Sequence, residues 1–472
     1  MNTKDHSPLK LRMHFQVILP IFLVVLLMVF CQIMSYPLII PVLILFVGLH
    51  LFFLKKIPLR HFLHLGLLLA LLIFTVHIIS RYTLYSPYYI PVAGMVMLTM
   101  LLFNETQVSF QMAFLSSTIV TLILGSGLDT FLTFFLGSLM GIYAVREART
   151  RGQLMKTAVF VALIHMVSLF LFHPHPGTWW RGPFFREMLY PLLLNGLLST
   201  ILVVVTLKIF EYLFGVITNF SLLELSDFNQ PLLKRLILEA PGTYHHSLVV
   251  SNLAETAADS IGANALLTRV GAYYHDIGKV IKPEYFTENQ LVGGNKHDYI
   301  EPSMSRLIIL NHVKEGIELG RKYRLNPLII EFIPQHHGTS LMHYFYQKAL
   351  EETKEGEPVS DLNFRYPGPK PQTKETAITL LADSVEGATR SLKDFSSTKI
   401  AETVRKVINN RFIDGQLDEC NLTLKEINQI SETFIRILTA MYHGRIKYPD
   451  KKDGNSNRKF SKESTPNPQA PD

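Results

Sequence analysis

Histidine and aspartate stand side by side in the stretch GAYYHDIGKV, residues 271–280, and further histidines gather at His245 and His246, at His312, and at the tandem His336 and His337. A lone histidine on an apolar helix is ordinarily a core residue bonded to a carbonyl. Several histidines grouped with carboxylates point instead to metal ligation, and neutral imidazole with carboxylate suits Mn, Fe or Zn. The two cysteines, Cys31 and Cys420, lie too far apart in the chain for a disulfide framework or a zinc ribbon, so any ion falls to histidine and carboxylate. Adjacent side chains on one helix point about 100° apart, so His275 and Asp276 cannot chelate a single ion in the ordinary helical manner. They can serve two ions, with the carboxylate as a bridge and each imidazole on one of them. Two metals about 3.5–4 Å apart that share a carboxylate are a general solution to phosphoester hydrolysis, because the pair generates the nucleophile and neutralises the phosphate.

The elements that must position these residues fall into two unlike halves. Of the 472 residues 48% are hydrophobic, and nearly all of the excess lies before about residue 214. Runs there are long enough to cross a hydrocarbon core of roughly 30 Å. Eight candidate spans are read at 16–35, 37–54, 62–80, 88–103, 108–125, 128–145, 156–173 and 189–213, the fourth to sixth being short. Basic residues stay on the cytoplasmic side. Lys4, Lys10 and Arg12, then Lys55, Lys56 and Arg60, then Arg146, Arg149, Arg151 and Lys156 share one side only if the N-terminal segment 1–15 is cytoplasmic. An even number of spans then returns the chain to the cytoplasm. The first span lacks a small-residue cleavage site and is read as a retained anchor. The net charge of +7 lies largely in these loops and in the tail KKDGNSNRKFSKES, which reads as a topology signal and solvated tail rather than a surface for a nucleic acid polymer.

The expected fold class is all-α: a polytopic membrane helix bundle over 16–213, a coupling segment over 214–244, a cytoplasmic all-helical domain over 245–448, and a disordered tail over 449–472. A polar, Pro-rich loop, residues 352–375, interrupts the helices. Lys279, three residues after Asp276, would lie near the metal face and could meet a phosphate oxygen. Arg390, seven residues after Asp383, shares its helix face and suits either a phosphate clamp or a structural ion pair. A second His-Asp pair, His297 and Asp298, sits in a polar loop and is read as a decoy or a substrate-rim element. His77 and His165 lie inside spans and are read as neutral, hydrogen-bonded residues. Aromatics available to stack on a planar ligand are Tyr273, Tyr274, Tyr344 and Tyr366, with polar groups in the 287–301 and 363–375 loops.

HDIGK, preceded by HHS and followed by NHV, QHHG and LADSVE, resembles the HD-domain metal-dependent phosphohydrolases. The order of membrane bundle, EAPGTYHHS, GAYYHDIGK, QHHGT, FRYPGPKPQTKE and ADSVEGATRS is similar to that of the seven-transmembrane HD family, whose PgpH-type members hydrolyse cyclic di-AMP to linear pApA. The resemblance runs from the spans to about residue 445. It implies a phosphodiesterase of the bacterial inner membrane with Asp276 and Lys279 in catalysis, a cyclic dinucleotide as substrate, and two divalent ions, Mn or Fe. One ion would take His246, His275, Asp276 and Asp383, and the other Asp276, His312, His336 and His337; His245 is the alternative to His246. Another nucleotide, such as a guanosine alarmone or a deoxynucleotide triphosphate, remains open, as do a nucleotide-binding receptor module and a homo-oligomer. Family members usually carry a large extracytoplasmic domain after the first span, whereas here only QIMSYPL separates spans one and two.

Overall fold

The computed structural model describes residues 36–51, 59–146, 150–173, 182–290, 295–352 and 359–443, with isolated positions between 25 and 32 and at 148, 175, 177 and 180. The expected N-terminal segment, nearly all of the first span and the tail from 449 lie outside these residues. No strand occurs among the described residues; a single bridge joins Leu341 to Arg365.

The apolar half builds α1 (Ile39–Leu49), α2 (Leu59–Tyr82), α3 (Val92–Phe103), α4 (Thr106–Leu124), α5 (Leu128–Arg146), α6 (Arg151–Phe172) and α7 (Tyr190–Phe214). Helices α2, α4, α5, α6 and the run from Gly182 through α7 are long and apolar enough to cross a membrane; α1 and the Pro87–Phe103 stretch are shorter. At 1.5 Å per residue α3 rises only about 18 Å. It packs against α4, α5 and α7, with all but two of its residues buried, so it acts as the bundle's interior rather than its lipid face. Asn195 on α7 secures the broken backbone ahead of it, donating from Nδ2 to the carbonyls of Tyr88 and Ile90, 2.8 Å each.

The bundle passes into the polar half through a tightly bonded corner. Gly215 ends α7 at φ +60°, a left-handed conformation that a side chain would oppose. The buried Glu211 carboxylate then accepts from the Thr218 N–H (2.8 Å), the Thr218 hydroxyl and the Ser221 hydroxyl (2.6 Å). Helix α8 (Asn219–Leu225) follows, and its Glu224 pairs with Arg151 at 2.6 Å and Lys208 at 3.0 Å.

Pro231 and Pro241 each open a helix, where a missing N–H costs nothing. The polar half comprises α9 (Pro231–Glu239), α10 (Pro241–Ser260), α11 (Ala265–Tyr274), α12 (Pro302–Lys322), α13 (His343–Glu352), α14 (Lys374–Arg390), α15 (Ser397–Ile413) and α16 (Leu424–His443). Two apolar clusters hold it together. One joins α10, α14, α15 and α16 through Val250, Leu253, Leu381, Val404 and Phe434; the other joins α9, α11 and α12 through Leu236, Val270, Ile277, Val313 and Ile333. Emptying a fully buried aromatic position such as Phe434 would cost about 3–5 kcal/mol. The histidines and aspartates lie where the two clusters meet.

Candidate dinuclear metal centre

Helix α11 ends at Tyr274, and Asp276 takes φ −107° and ψ 15° before a 3-10 turn over Ile277–Ile281. This departure from helical geometry lifts the fixed offset between neighbours, and His275 Nε2 comes to lie 3.3 Å from Asp276 Oδ2. The turn is pressed against α12. A Cβ on Gly278 would sit 1.8 Å from the His312 carbonyl oxygen, so only glycine permits the approach that brings His312 to Asp276.

The candidate donors form two groups. Asp276, His312, His336 and His337 make one, and His246, His275 and Asp383 the other; within each, one donor atom per residue lies within 4.8 Å of the rest. Asp276 faces both. Its Oδ1 is 3.5 Å from Nε2 of His312 and of His336, and its Oδ2 is 3.3 Å from Nε2 of His275 and 3.6 Å from that of His246. His246 Nε2 is also 3.0 Å from Asp383 Oδ1. The alternative residue, His245, is exposed.

The imidazoles are oriented from behind. Nδ1 of His275 bonds the Ala272 carbonyl at 2.7 Å, that of His312 the Ile309 carbonyl, and that of His336 the Phe332 carbonyl at 3.1 Å, while His246 Nδ1 bonds Glu386 at 2.7 Å. A ring that donates through Nδ1 keeps its Nε2 lone pair for the site. Burial pushes the His312 pKa down to about 4 and that of His337 well below its usual value, so both rings are neutral near pH 7. For His246 burial acts in the same direction, but hydrogen bonds to Asp383 and Glu386 outweigh it and raise the pKa to about 10; a metal at Nε2 would displace one proton.

The donor set fits two cations. Nε2 of His275, His312, His336 and His337 and Oδ1 of Asp276 are all buried, and none has a hydrogen-bond partner among the described residues. Five such atoms converging on one space would cost several kcal/mol unless something binds them. Their chemistry, neutral imidazole and carboxylate without thiolate, suits a divalent transition metal.

Lys279 is largely buried, with Nζ 2.7 Å from Asp276 Oδ2, 2.8 Å from Glu288 Oε1 and 5.0 Å above the Phe286 ring. Despite the opposing effect of burial, the two carboxylates hold its pKa above the usual lysine range. Arg390, 44% exposed, lies 3.8 Å from Glu386, which gives it the structural ion pair weighed above. His297 departs from the rim reading: it is buried, bonds the Tyr285 carbonyl at 2.9 Å through Nε2, and stands outside both donor groups. Of the four candidate stacking aromatics, Tyr274 is fully buried with its hydroxyl on the Leu225 carbonyl, Tyr273 packs on Phe228, and Tyr344 lies beside Phe345. Tyr366 alone reaches the donors, its ring 4.0 Å from that of His337 at 21°. The described part of the Pro-rich loop around Tyr366 therefore reaches the site, pinned by the Tyr366 N–H to the Ser340 carbonyl at 3.1 Å.

Two acidic residues escaped sequence reading. Glu386 lies three residues after Asp383, on the same face of α14, a spacing that could have revealed it. Glu288, which holds both Lys279 and the Thr243 hydroxyl (3.1 Å), lies in a loop with no pattern to announce it.

Residues 36–218 match the family described as 7TM receptor with intracellular HD hydrolase, and residues 243–388 match the HD domain family. The chain is 38% identical over 373 residues to the cyclic-di-AMP phosphodiesterase PgpH of Bacillus subtilis, an alignment covering 77% of this chain and 51% of that protein. Identity to the PgpH of Listeria monocytogenes is 42% over 367 residues, covering 77% and 50%. The chain thus spans about half the length of the curated relatives it matches. A crystal structure of the L. monocytogenes PgpH HD domain in complex with cyclic di-AMP is 50% identical in sequence, covering 46% of this chain and 100% of that one, with a TM-score of 0.44. With the membrane and HD matches following one another along a single chain, this protein belongs to the seven-transmembrane HD-domain family.

Proposed function

We propose that this chain is a membrane-anchored phosphodiesterase that employs two divalent ions, Mn or Fe, to hydrolyse cyclic di-AMP to linear pApA on the cytoplasmic face of a bacterial cell membrane. The observation that carries the reading is the division of the Asp276 carboxylate, one oxygen toward His312 and His336 and the other toward His246 and His275. Two ions held in such a cradle supply an activated water and offset the charge of the phosphate. The chain's own residues do the positioning. Backbone carbonyls behind His275, His312 and His336 hold three Nε2 atoms on target, and Glu386 does the same for His246. Lys279, kept charged between Asp276 and Glu288, contributes a fixed positive charge where negative charge develops during attack on phosphorus.

Cyclic di-AMP is favoured because both curated relatives are named cyclic-di-AMP phosphodiesterases. The test is turnover by the full chain in detergent, loaded with Mn or Fe, against cyclic di-AMP, cyclic di-GMP, a guanosine alarmone and a deoxynucleotide triphosphate. The expected result is metal-dependent release of pApA and slow or absent turnover of the rest. Preferred cleavage of the alarmone or the triphosphate would overturn the substrate, and tight binding without turnover of any of the four would make the domain a receptor module.

A further inference from the structure

The cations around the metal centre are nearly all spoken for. Lys279 is shared by Asp276 and Glu288, Arg390 lies beside Glu386, and Arg365 is held by Asp361 at 3.0 Å and Asp414 at 2.9 Å. Arg411 is different. It stands near the end of α15, half-buried, and among the described residues its side chain makes one hydrogen bond, from Nε to the Ser384 hydroxyl at 3.0 Å. Its two terminal nitrogens have no ion pair or hydrogen bond there, although a planar guanidinium offers five donors. Burial lowers its pKa, and the charged or titratable groups that face it are Asp383, Asp414 and Tyr366. Asp414 is already occupied by Arg365 and by the Gln416 amide, 2.8 Å away.

The placement of this side chain is built into the fold. Ser384 directly follows Asp383, so Nε ties Arg411 to one half of the donor set. The end of α15 is also bound to the other half: the Gln416 Oε1 accepts the Thr339 N–H at 2.8 Å, two residues beyond His337, and Gln416 Nε2 donates to the Thr339 hydroxyl at 3.0 Å. Tyr366, stacked on His337, closes the same space, and its hydroxyl has no hydrogen-bond partner among the described residues. Arg411 therefore sits at the seam between the two groups, with its fork uncommitted. A half-buried guanidinium whose terminal nitrogens have no partner among the described residues is free to take two oxygens of an anion supplied by the substrate.

We propose that Arg411 grips the second, non-scissile phosphate of the cyclic dinucleotide and so orients the scissile one over the metal centre. This rests on the function proposed above. A substrate with two phosphodiesters needs two anion sites, and the donor groups with Lys279 account for only one. Arg411 suits the other because its paired donors match two phosphate oxygens.

The test compares the metal-loaded full chain in detergent with Arg411→Lys and Arg411→Met, on cyclic di-AMP and on bis(p-nitrophenyl) phosphate, which has a single phosphodiester. Losing a charge-assisted bidentate contact should raise KM for cyclic di-AMP by about 10- to 100-fold in Arg411→Met and by less in Arg411→Lys. Turnover of the single-phosphate ester and the metal content should stay at wild-type levels in both variants. Equal losses on the two substrates, or an unchanged KM for cyclic di-AMP, would overturn the inference. Should Arg411→Met not fold, Arg411→Lys, which keeps the charge but loses the fork, carries the same selective rise in KM and the same two refutations. A wild-type chain that cleaves the single-phosphate ester but not cyclic di-AMP refutes the function proposed above and this inference with it. A wild-type chain that cleaves both, with Arg411 variants that discriminate neither, refutes the inference alone.

Discussion

The Tyr274 hydroxyl donates to the Leu225 carbonyl over 2.9 Å, tying the residue before His275 to the last residue of α8. One residue earlier, Glu224 is paired with Arg151 of α6 and Lys208 of α7. These three side-chain contacts thus connect the membrane bundle, through α8, to the segment that bears Asp276.

Tyr274→Phe keeps the buried ring and removes this bond. The Leu225 carbonyl loses its donor, so the full chain in detergent should lose about 0.5–1.5 kcal/mol of stability. A thermal melt measures it, and a midpoint equal to wild type would mean that the bond contributes nothing to holding the two parts together.

Asp276→Ala removes the one carboxylate that faces both donor groups. Hydrolysis should fall to background, and metal analysis of the purified chain should drop from close to two ions toward one or none. Retention of two ions with full activity would show that the bridging reading is wrong. His297→Ala should leave the metal content alone, because that ring bonds the Tyr285 carbonyl outside both groups.

Sequence was most informative where the chemistry is written in residue type. His275, Asp276, His312, His336 and His337 stood out because histidine and aspartate recur in short motifs, resemblance to the HD-domain phosphohydrolases singled out His246 and added Asp383, and the fold brings all seven to one place. Their supports were harder to see. Glu288 meets Lys279 from an irregular stretch that carries no periodic pattern, and Arg411, which bonds Ser384 from another helix, belongs to a charge-rich segment that reads like a solvated face. Tyr274 looked like a base-stacking residue because a pair of adjacent tyrosines does not reveal which one turns inward; packing against α8 and α9 decides it. In the bundle, hydrophobic runs marked helices well, but α3 shows that an apolar stretch can be an interior helix too short to span alone.

Glu386 accepts from His246 Nδ1, and removing such a partner from a ligating histidine typically costs 10- to 100-fold in metal affinity. Glu386→Ala should therefore weaken metal binding by about that factor, measured by competition with a calibrated chelator. Glu386→Gln, which keeps an acceptor oxygen, should lose less. His245→Ala, at an exposed position, should match wild type. An effect of His245→Ala larger than that of Glu386→Ala would transfer the ligand role to the neighbouring histidine.

The last prediction concerns sidedness, for which the geometry and the basic loops give one answer. The start of α6 and the end of α7 lie at the same end of the bundle, since Arg151 and Lys208 share Glu224. The start of α2 lies there as well: the His64 and Phe214 rings stack at 4.0 Å and 4°. Arg60 and Arg146 belong to that same end, at the start of α2 and the close of α5, so the basic residues cluster on the side from which the HD domain hangs. Lys and Arg in short loops are retained in the cytoplasm. Reporter fusions after residues 58 and 150 and at the C-terminus should all read inside, and a fusion after residue 178, beyond the far end of α6 at Phe172, should read outside. An inside reading at 178 combined with outside readings at 58 and 150 would put the HD domain on the face away from the nucleotide pool and end the phosphodiesterase proposal in its present form.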